Sequence, residues 1–328
     1  MRIAVAGKDV AALIVSRLLS EMGHNVLLCT NGEENTFEKV SARPELVKKG
    51  RHLLSFLDSF GFEYLAYKTR VGILLRGDIA KYPGPVARDK KRMKAVSLKL
   101  CTKSRLVGPP SGQKLPNIQG DIPKSAVAFN WSDLVTLLDC RRHQRYTTDS
   151  NIIVSIEPGV VETTAARRYF DLVVVTLPLW EVARYVAWDV PHASAVIEHV
   201  VGVHSNTEKD EEEELSKFDV VWTPYTPEDL IFKVTQCGSE YRVHFSGPWE
   251  DGETNLRLAS DLNFLFPSGW SVAFADRGVF GHRFPLSCRP VWPKGIVPIG
   301  KYAAWDEKHV GLESILADFE NLRKRYGV

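Results

Sequence analysis

Two kinds of apolar pattern alternate over the first thirty residues. Residues 3–6 are a short unbroken apolar run that stops at Gly7, the pattern of a strand buried on both faces. Val10, Leu13, Ile14, Leu18 and Leu19 then recur at helical spacing, and Gly23 stands where a helix C-terminus favours positive φ. Residues 26–29 return to the buried-strand pattern. Farther on, Leu46, Leu53, Leu54, Leu57 and Phe60 form an apolar stripe that predicts a helix over 44–60, closed by Gly61. Residues 62–85 read as strand and turn, with a hairpin around Arg76-Gly77-Asp78. "NWSDLVTLLDC" opens a helix with Asn130 or Ser132 as its N-cap. Residues 152–178 read as short antiparallel strands feeding a buried strand, 172–176, that stops at Pro178. Strand-rich segments continue to about residue 285, interrupted by the acidic "NTEKDEEEELSKFD", which reads as an exposed loop. The C-terminal part is a strand, a glycine turn and an amphipathic helix carried by Leu312, Ile315, Leu316, Phe319 and Leu322. No internal repeat is visible.

Composition narrows the class without naming a function. The 328 residues, 44% hydrophobic and 25% charged, describe a soluble chain of about two domains. A formal charge of +2 gives no global electrostatic argument for nucleic acid or membrane. The five cysteines, Cys29, Cys101, Cys140, Cys237 and Cys288, form no CxxC and are odd in number, so free thiols in a reducing compartment are expected. No run reaches about 18 apolar residues, and residues 3–7 are too short for a signal-peptide core, so the expected location is the cytoplasm. Residues 88–105 hold eight basic side chains and one acid, Asp89, which is either a solvated helix face or a surface facing phosphate. No aromatic residue lies among them to stack on bases, so a small phosphorylated molecule is favoured over nucleic acid as a partner. Residues 107–125 carry four prolines and three glycines and read as a loop over a site. The nine histidines are dispersed with no HExxH, so no metal set is expected, and neither a P-loop nor a nucleophile elbow is present.

Three separated segments carry a resemblance: the opening βαβ pattern "RIAVAGKDVAALIVSRLLSEMGHNVLLCTN", then "DLVVVTLPLW", then "VPIGKYAAWDEKHVGLESIL". In this discontinuous order the chain resembles the flavin amine oxidase and UDP-galactopyranose mutase-like superfamily. "VVWTPYTPEDLIFKV" and "RVGILLRGDIAKYPGP" are similar to substrate-domain segments of its small mutase-like members. The resemblance implies an α/β fold in which a Rossmann-like FAD-binding domain (1–60, 145–185 and 286–328) is interleaved with a mixed sheet-plus-helix substrate domain (61–144 and 186–285). The implied function is that of an FAD-dependent oxidoreductase of unassigned substrate. For the cofactor it implies Gly7, Lys8, Val10, Ala11, Ala12, Thr30, Asn31, Thr176, Pro178, Gly300, Lys301, Tyr302, Trp305, Gly311 and Leu312. Lys301 replaces the family's arginine and, with the helix N-terminus near Gly311, suits negative charge on a reduced flavin. Tyr302 and Trp305 either stack near the ring or serve as core aromatics. On the substrate side the resemblance points to Arg70, Tyr82, Tyr225, Lys233 and His282. The mutase's His/Gly-rich loop is not recognisable, nor is an amine-oxidase lysine or aromatic cage, so neither activity is carried over.

The dinucleotide fingerprint itself is degenerate. Its first glycine makes a tight turn, its second lets backbone approach the pyrophosphate, and its third permits close helix packing. Gly7, Asp9 and Ala12 stand at those positions. Ala12 is a mild change. A carboxylate at Asp9 beside a pyrophosphate costs about 1 to 4 kcal/mol at surface-like dielectric. Either Lys8 offsets that charge or Asp9 turns away as the cap of the helix. The acid expected at the end of the second strand aligns with Thr30, whose hydroxyl binds a ribose more weakly. Two readings stay open: FAD held noncovalently and weakly, or a cofactor-free, repurposed Rossmann-like protein that takes a phosphate-bearing partner such as nucleic acid or a nucleotide sugar.

Overall fold

The structure, a computed structural model, describes residues 1–32, 47–75, 78–82, 125–129, 131–138, 146–188, 195–206, 214–222, 231–237, 240–246, 252–282, 291–300, 303 and 311–328. The chain divides into two units, one of Met1–Ala66, Val127–His192 and Cys288–Val328, the other of Tyr67–Ala126 and Ala193–Ser287.

The first unit is built on five strands, β1 (Arg2–Ala6), β2 (Asn25–Cys29), β8 (Thr147–Asp149), β12 (Leu172–Val175) and β18 (Ile296–Pro298). Their order is β18-β12-β1-β2-β8 and every pairing is parallel. Ile3, Val5, Val26, Leu28, Leu172 and Val174 point to one face, into a core shared with α1 (Val10–Glu21), α2 (Arg51–Ser59), α3 (Trp131–Leu138) and α6 (Gly311–Tyr326). Ala4, Ala6, Cys29, Val173 and Val175 point to the other. There they meet a meander of β9 (Ile153–Glu157), β10 (Val160–Thr163) and β11 (Arg167–Tyr169). Both faces are covered, which is why these strands are unbroken apolar runs in the sequence.

Two expectations change. The stripe over 44–60 predicts one helix, but β3 (Val47–Lys48) precedes Gly50 and the helix starts only at Arg51. The stop has a distant cause: Glu313 in α6 accepts from the N–H of His52 at 3.2 Å and of Leu53 at 2.7 Å, capping α2 from another helix. A Cβ on Gly50 would lie 2.0 Å from the Glu313 carboxyl carbon, so a larger residue there would push Glu313 off its cap. Residues 44–46 lie outside the described residues. The second change concerns α3, which the expected boundary at 144 assigns to the substrate domain. Its Leu134, Val135 and Leu138 pack into the first unit's core, and Tyr146 donates to the Leu138 carbonyl at 2.7 Å. Asn130 and the Ser132 side chain, its expected caps, lie outside the described residues.

The second unit carries seven strands in the order β17-β13-β16-β15-β14-β5-β6. They are β5 (Val71–Leu75), β6 (Asp78–Tyr82), β13 (Ala195–Ser205), β14 (Val220–Trp222), β15 (Ile231–Cys237), β16 (Glu240–Ser246) and β17 (Trp270–His282). Leu75 pairs with Asp78, which is the hairpin read from the sequence. One face packs Val201, Val203, Val234, Tyr241, Val243 and Phe245 against Leu258, Leu262 and Leu265 of α5 (Gly252–Leu265). The acidic segment is not all loop: Glu214–Lys217 is one turn of 3-10 helix that buries Leu215, while 207–213 lie outside the described residues. A small sheet joins β3, β7 (Ser125–Ala128) and β4 (Leu65–Lys68).

Cys29 is free and fully buried at the end of β2. Burial pushes its thiol up to about 12, the nearby Asp149 charge adds to this, and Arg168 only partly opposes it. Iodoacetamide at pH 8 will therefore leave Cys29 unlabelled in the folded chain and label it in urea, read by peptide mapping. Equal labelling in both states would show that the thiol is exposed.

Candidate functional site

The residues singled out at the N-terminus meet where β1 ends. The Gly7 N–H donates to the Cys29 carbonyl at 3.0 Å, and the chain turns through Lys8 and Asp9 into α1. Asp9 is extended (φ −115°, ψ 177°) and caps the helix: its Oδ1 accepts from the Ala12 N–H at 2.9 Å and from the Thr176 hydroxyl at 3.0 Å. Of the two alternatives open for Asp9, the cap is therefore the one adopted. Among the described residues nothing accepts from the N–H groups of Val10 or Ala11, the first two of the helix. Ala12 is fully buried behind them.

Gly7 has its own reason to be glycine. A Cβ there would fall 1.8 Å from the Thr176 Oγ1 and 2.9 Å from the Ala12 Cβ. Thr176 in turn donates its N–H to the Ala6 carbonyl at 2.9 Å, so the ends of β1 and β12 and the start of α1 close on one point. Pro178 then leads into α4 (Leu179–Val182), one turn that carries Glu181.

Glu181 binds Lys8, Nζ to Oε1, at 3.4 Å. Asn31, just past β2 and left-handed at φ 58°, donates to the same Glu181 oxygen at 2.9 Å and to the Tyr185 hydroxyl at 2.7 Å. Its Oδ1 accepts from the Ile153 N–H at 2.9 Å. Since β1 lies between β12 and β2 in the sheet, this bridge crosses the end of β1. Lys8 is thus paired with Glu181. Asp9 is exposed, and the protein packed against its inner side pushes its carboxyl above the usual aspartate range. The Glu181 charge acts in the same direction, against the Ala12 N–H and the Thr176 hydroxyl.

Thr30, at the position of the expected ribose-binding acid, is 1% exposed. Its N–H donates to the Asp149 carbonyl, but its buried Oγ1 has no hydrogen-bond partner. At the C-terminal end Gly300 is buried and donates its N–H to Asp318 at 3.3 Å. Gly311, exposed, opens α6, and Leu312 is buried in the core beneath. Lys301, Tyr302 and Trp305 lie outside the described residues.

The expected substrate residues do not gather into one described cluster. Arg70 is held by Asp219: Nη2 to Oδ1 at 2.9 Å, Nε to Oδ1 at 3.3 Å, and backbone N–H to Oδ2 at 2.6 Å, an exposed clamp between the starts of β5 and β14. Tyr82 ends β6 opposite Val71, and His282 ends β17 opposite Ala195. Lys233, half-buried, stands between Trp222 and His244 in the sheet register. Tyr225 and the basic residues of 88–105 lie outside the described residues.

Glu181, Tyr185, Arg242 and His244 escape the sequence reading. Arg242 and His244 are buried on the sheet face opposite the α5 core. The alternation in "EYRVHFS" is a sequence signal, but it does not say what covers the polar face. Among the described residues no three His, Cys, Asp or Glu side chains gather as a metal set, and no helix is long and apolar enough to cross a membrane.

No family model matches the chain, and no curated protein matches it in sequence. Solved structures do. An oxidoreductase from Methanosarcina mazei is 14% identical over 99% of this chain and 100% of its own, with a TM-score of 0.67. Reduced UDP-galactopyranose mutase is 10% identical over 99% of this chain and 94% of its own, TM-score 0.60. Glycine oxidase from Bacillus cereus is 13% identical over 99% and 95%, TM-score 0.57. At such identities the likeness is one of fold alone: the chain shares a mixed α/β fold with a parallel sheet with these proteins.

Proposed function

We propose that this chain is a flavoprotein of the oxidoreductase type that holds FAD noncovalently and weakly at the ends of β1 and β2. The observation that carries the reading is the β1–α1 turn: a glycine closed against Thr176, followed by two helix N–H groups with no partner in the described protein. Such N–H groups at a helix start suit a diphosphate. The Thr30 hydroxyl is buried and without a partner, and it is the family resemblance that assigns the ribose to this position. Bound there, FAD supplies electron or hydride transfer, while the chain's own residues position and exclude water. Asp9 supports weak binding, because its cap leaves the Val10 and Ala11 N–H groups open while its charge stays beside them. The substrate proposed is a small molecule, phosphate-bearing if the basic residues of 88–105 meet it.

The test is the visible spectrum of freshly purified protein, followed by denaturing release and titration of the apoprotein with FAD. The expected result is flavin absorption, release of intact FAD and saturation in the micromolar range. No binding at high micromolar FAD would overturn the reading. It would favour instead a cofactor-free Rossmann-like protein, which the two carboxylates at this edge, Asp9 and Glu181, would suit.

A further inference from the structure

We infer that Asp9 sets the affinity of this chain for a flavin dinucleotide, by keeping a carboxylate of the protein at the helix end where the diphosphate would bind. The inference rests on the FAD reading above.

A helix start carries about half a positive charge and favours an anion. In this chain that place already holds Asp9, whose Oδ1 takes both the Ala12 N–H and the Thr176 hydroxyl. Among the described residues the groups shown to act on Asp9 are the Ala12 N–H, the Thr176 hydroxyl and the Glu181 charge, with Lys8 next to it on the turn. Only Lys8 among them is cationic, and it is bound to Glu181. Asp9 therefore adds its negative charge at the start of the helix. A diphosphate reaching the Val10 and Ala11 N–H groups adds like charge within a few ångströms of it. The second glycine of the fingerprint thus serves in two ways: it admits the backbone, and it brings no charge.

Asp9→Asn separates the two. Asparagine is as good an N-cap as aspartate and keeps an oxygen for the Ala12 N–H, so the helix start is preserved while the charge is removed. Asp9→Ser is a second neutral cap of different shape. Titration of apoprotein at pH 8, followed by flavin fluorescence, is expected to give FAD binding at least about tenfold tighter in both variants than in the natural chain. Riboflavin, which carries no phosphate, should bind all three equally. As the pH is lowered the natural chain should approach the variants, because protonation of Asp9, whose carboxyl lies above the usual aspartate range, removes the charge.

Equal FAD affinity in the natural chain and both variants would overturn the inference and leave the FAD reading standing. Tightening in one variant only, or an equal gain for riboflavin, would overturn it too, since a charge effect follows the phosphate and not the shape of the cap. Failure of all three proteins to bind FAD at any pH, with thermal melts showing them folded, would overturn the FAD reading and this inference with it.

Discussion

Replacing Arg168 by methionine is expected to lower folding stability by about 3 kcal/mol at pH 7, the loss that follows when one member of a buried ion pair is removed. Asp149 ends β8 and is 6% exposed. Its Oδ1 accepts from the backbone N–H of Asn151 at 3.0 Å and its side-chain amide at 2.6 Å, and its Oδ2 from the Thr163 hydroxyl at 3.3 Å and from the Arg168 guanidinium. Without Arg168 the carboxylate stays buried with neutral donors only. The Arg168 side chain is a third exposed, and the pair lines a polar cavity of about 510 Å³ with Arg2 and Asn25, so the loss belongs at the low end of the buried-pair range. Burial raises the Asp149 carboxyl, but Arg168 and Asn151 more than offset this and hold it below the usual range. A folded-state pKa below the unfolded one gives stability that is present above the unfolded aspartate value of about 3.9 and lost as pH falls through the folded value. The gap between natural chain and variant should accordingly narrow on acidification, and Asp149→Asn added to Arg168→Met should recover most of the loss. Urea unfolding at pH 7 and at pH 3 measures both. A loss below about 0.5 kcal/mol at pH 7 would make this an ordinary surface pair.

What each element does by itself was legible in the sequence. The apolar runs that became β1, β2 and β12, the helical spacing of α1, and the hairpin between Leu75 and Asp78 need only neighbours within a few residues. What an element receives from elsewhere was not. Periodicity carries the helix of α2 back to 44, because nothing near Arg51 announces that Glu313, some 260 positions away, supplies its cap. Asp9 was legible as either cap or ligand-facing charge, and its second donor, Thr176, lies 167 positions along the chain. Glu181 and Tyr185 gain their roles from distant partners, Lys8 for Glu181 and Asn31, which reaches across β1, for both. Arg242 and His244 alternate with apolar residues along β16, a pattern that does not say what covers the polar face, and the folded chain buries both. The scaffold follows from local pattern, whereas the site is assembled from contacts that local pattern does not contain.

Gly7→Ala is the substitution expected to act most strongly on the site itself. The new Cβ would overlap the Thr176 Oγ1 at 1.8 Å and press on the Thr176 Cβ at 3.2 Å and the Ala12 Cβ at 2.9 Å. The hydroxyl is the part that yields first, by rotation about χ1, and when it turns it gives up its bond to the Asp9 Oδ1. The Ala12 methyl cannot follow, since it is fixed to the helix and fully buried. Overpacking at such a closed point costs about 1 to 3 kcal/mol. Loosening the cap also displaces the Val10 and Ala11 N–H groups, so FAD binding should fall further than stability alone accounts for. Because most of the overlap is with one hydroxyl, Thr176→Ala in the Gly7→Ala background should restore a large part of the stability. The restoration stays incomplete because the Ala12 contact remains. A double-mutant cycle read by thermal melts, with FAD titration on the same four proteins, measures the coupling between positions 7 and 176. Additive effects of the two substitutions would show that the turn relaxes without Thr176, and that the close approach of β1 and β12 is not what requires glycine at this position.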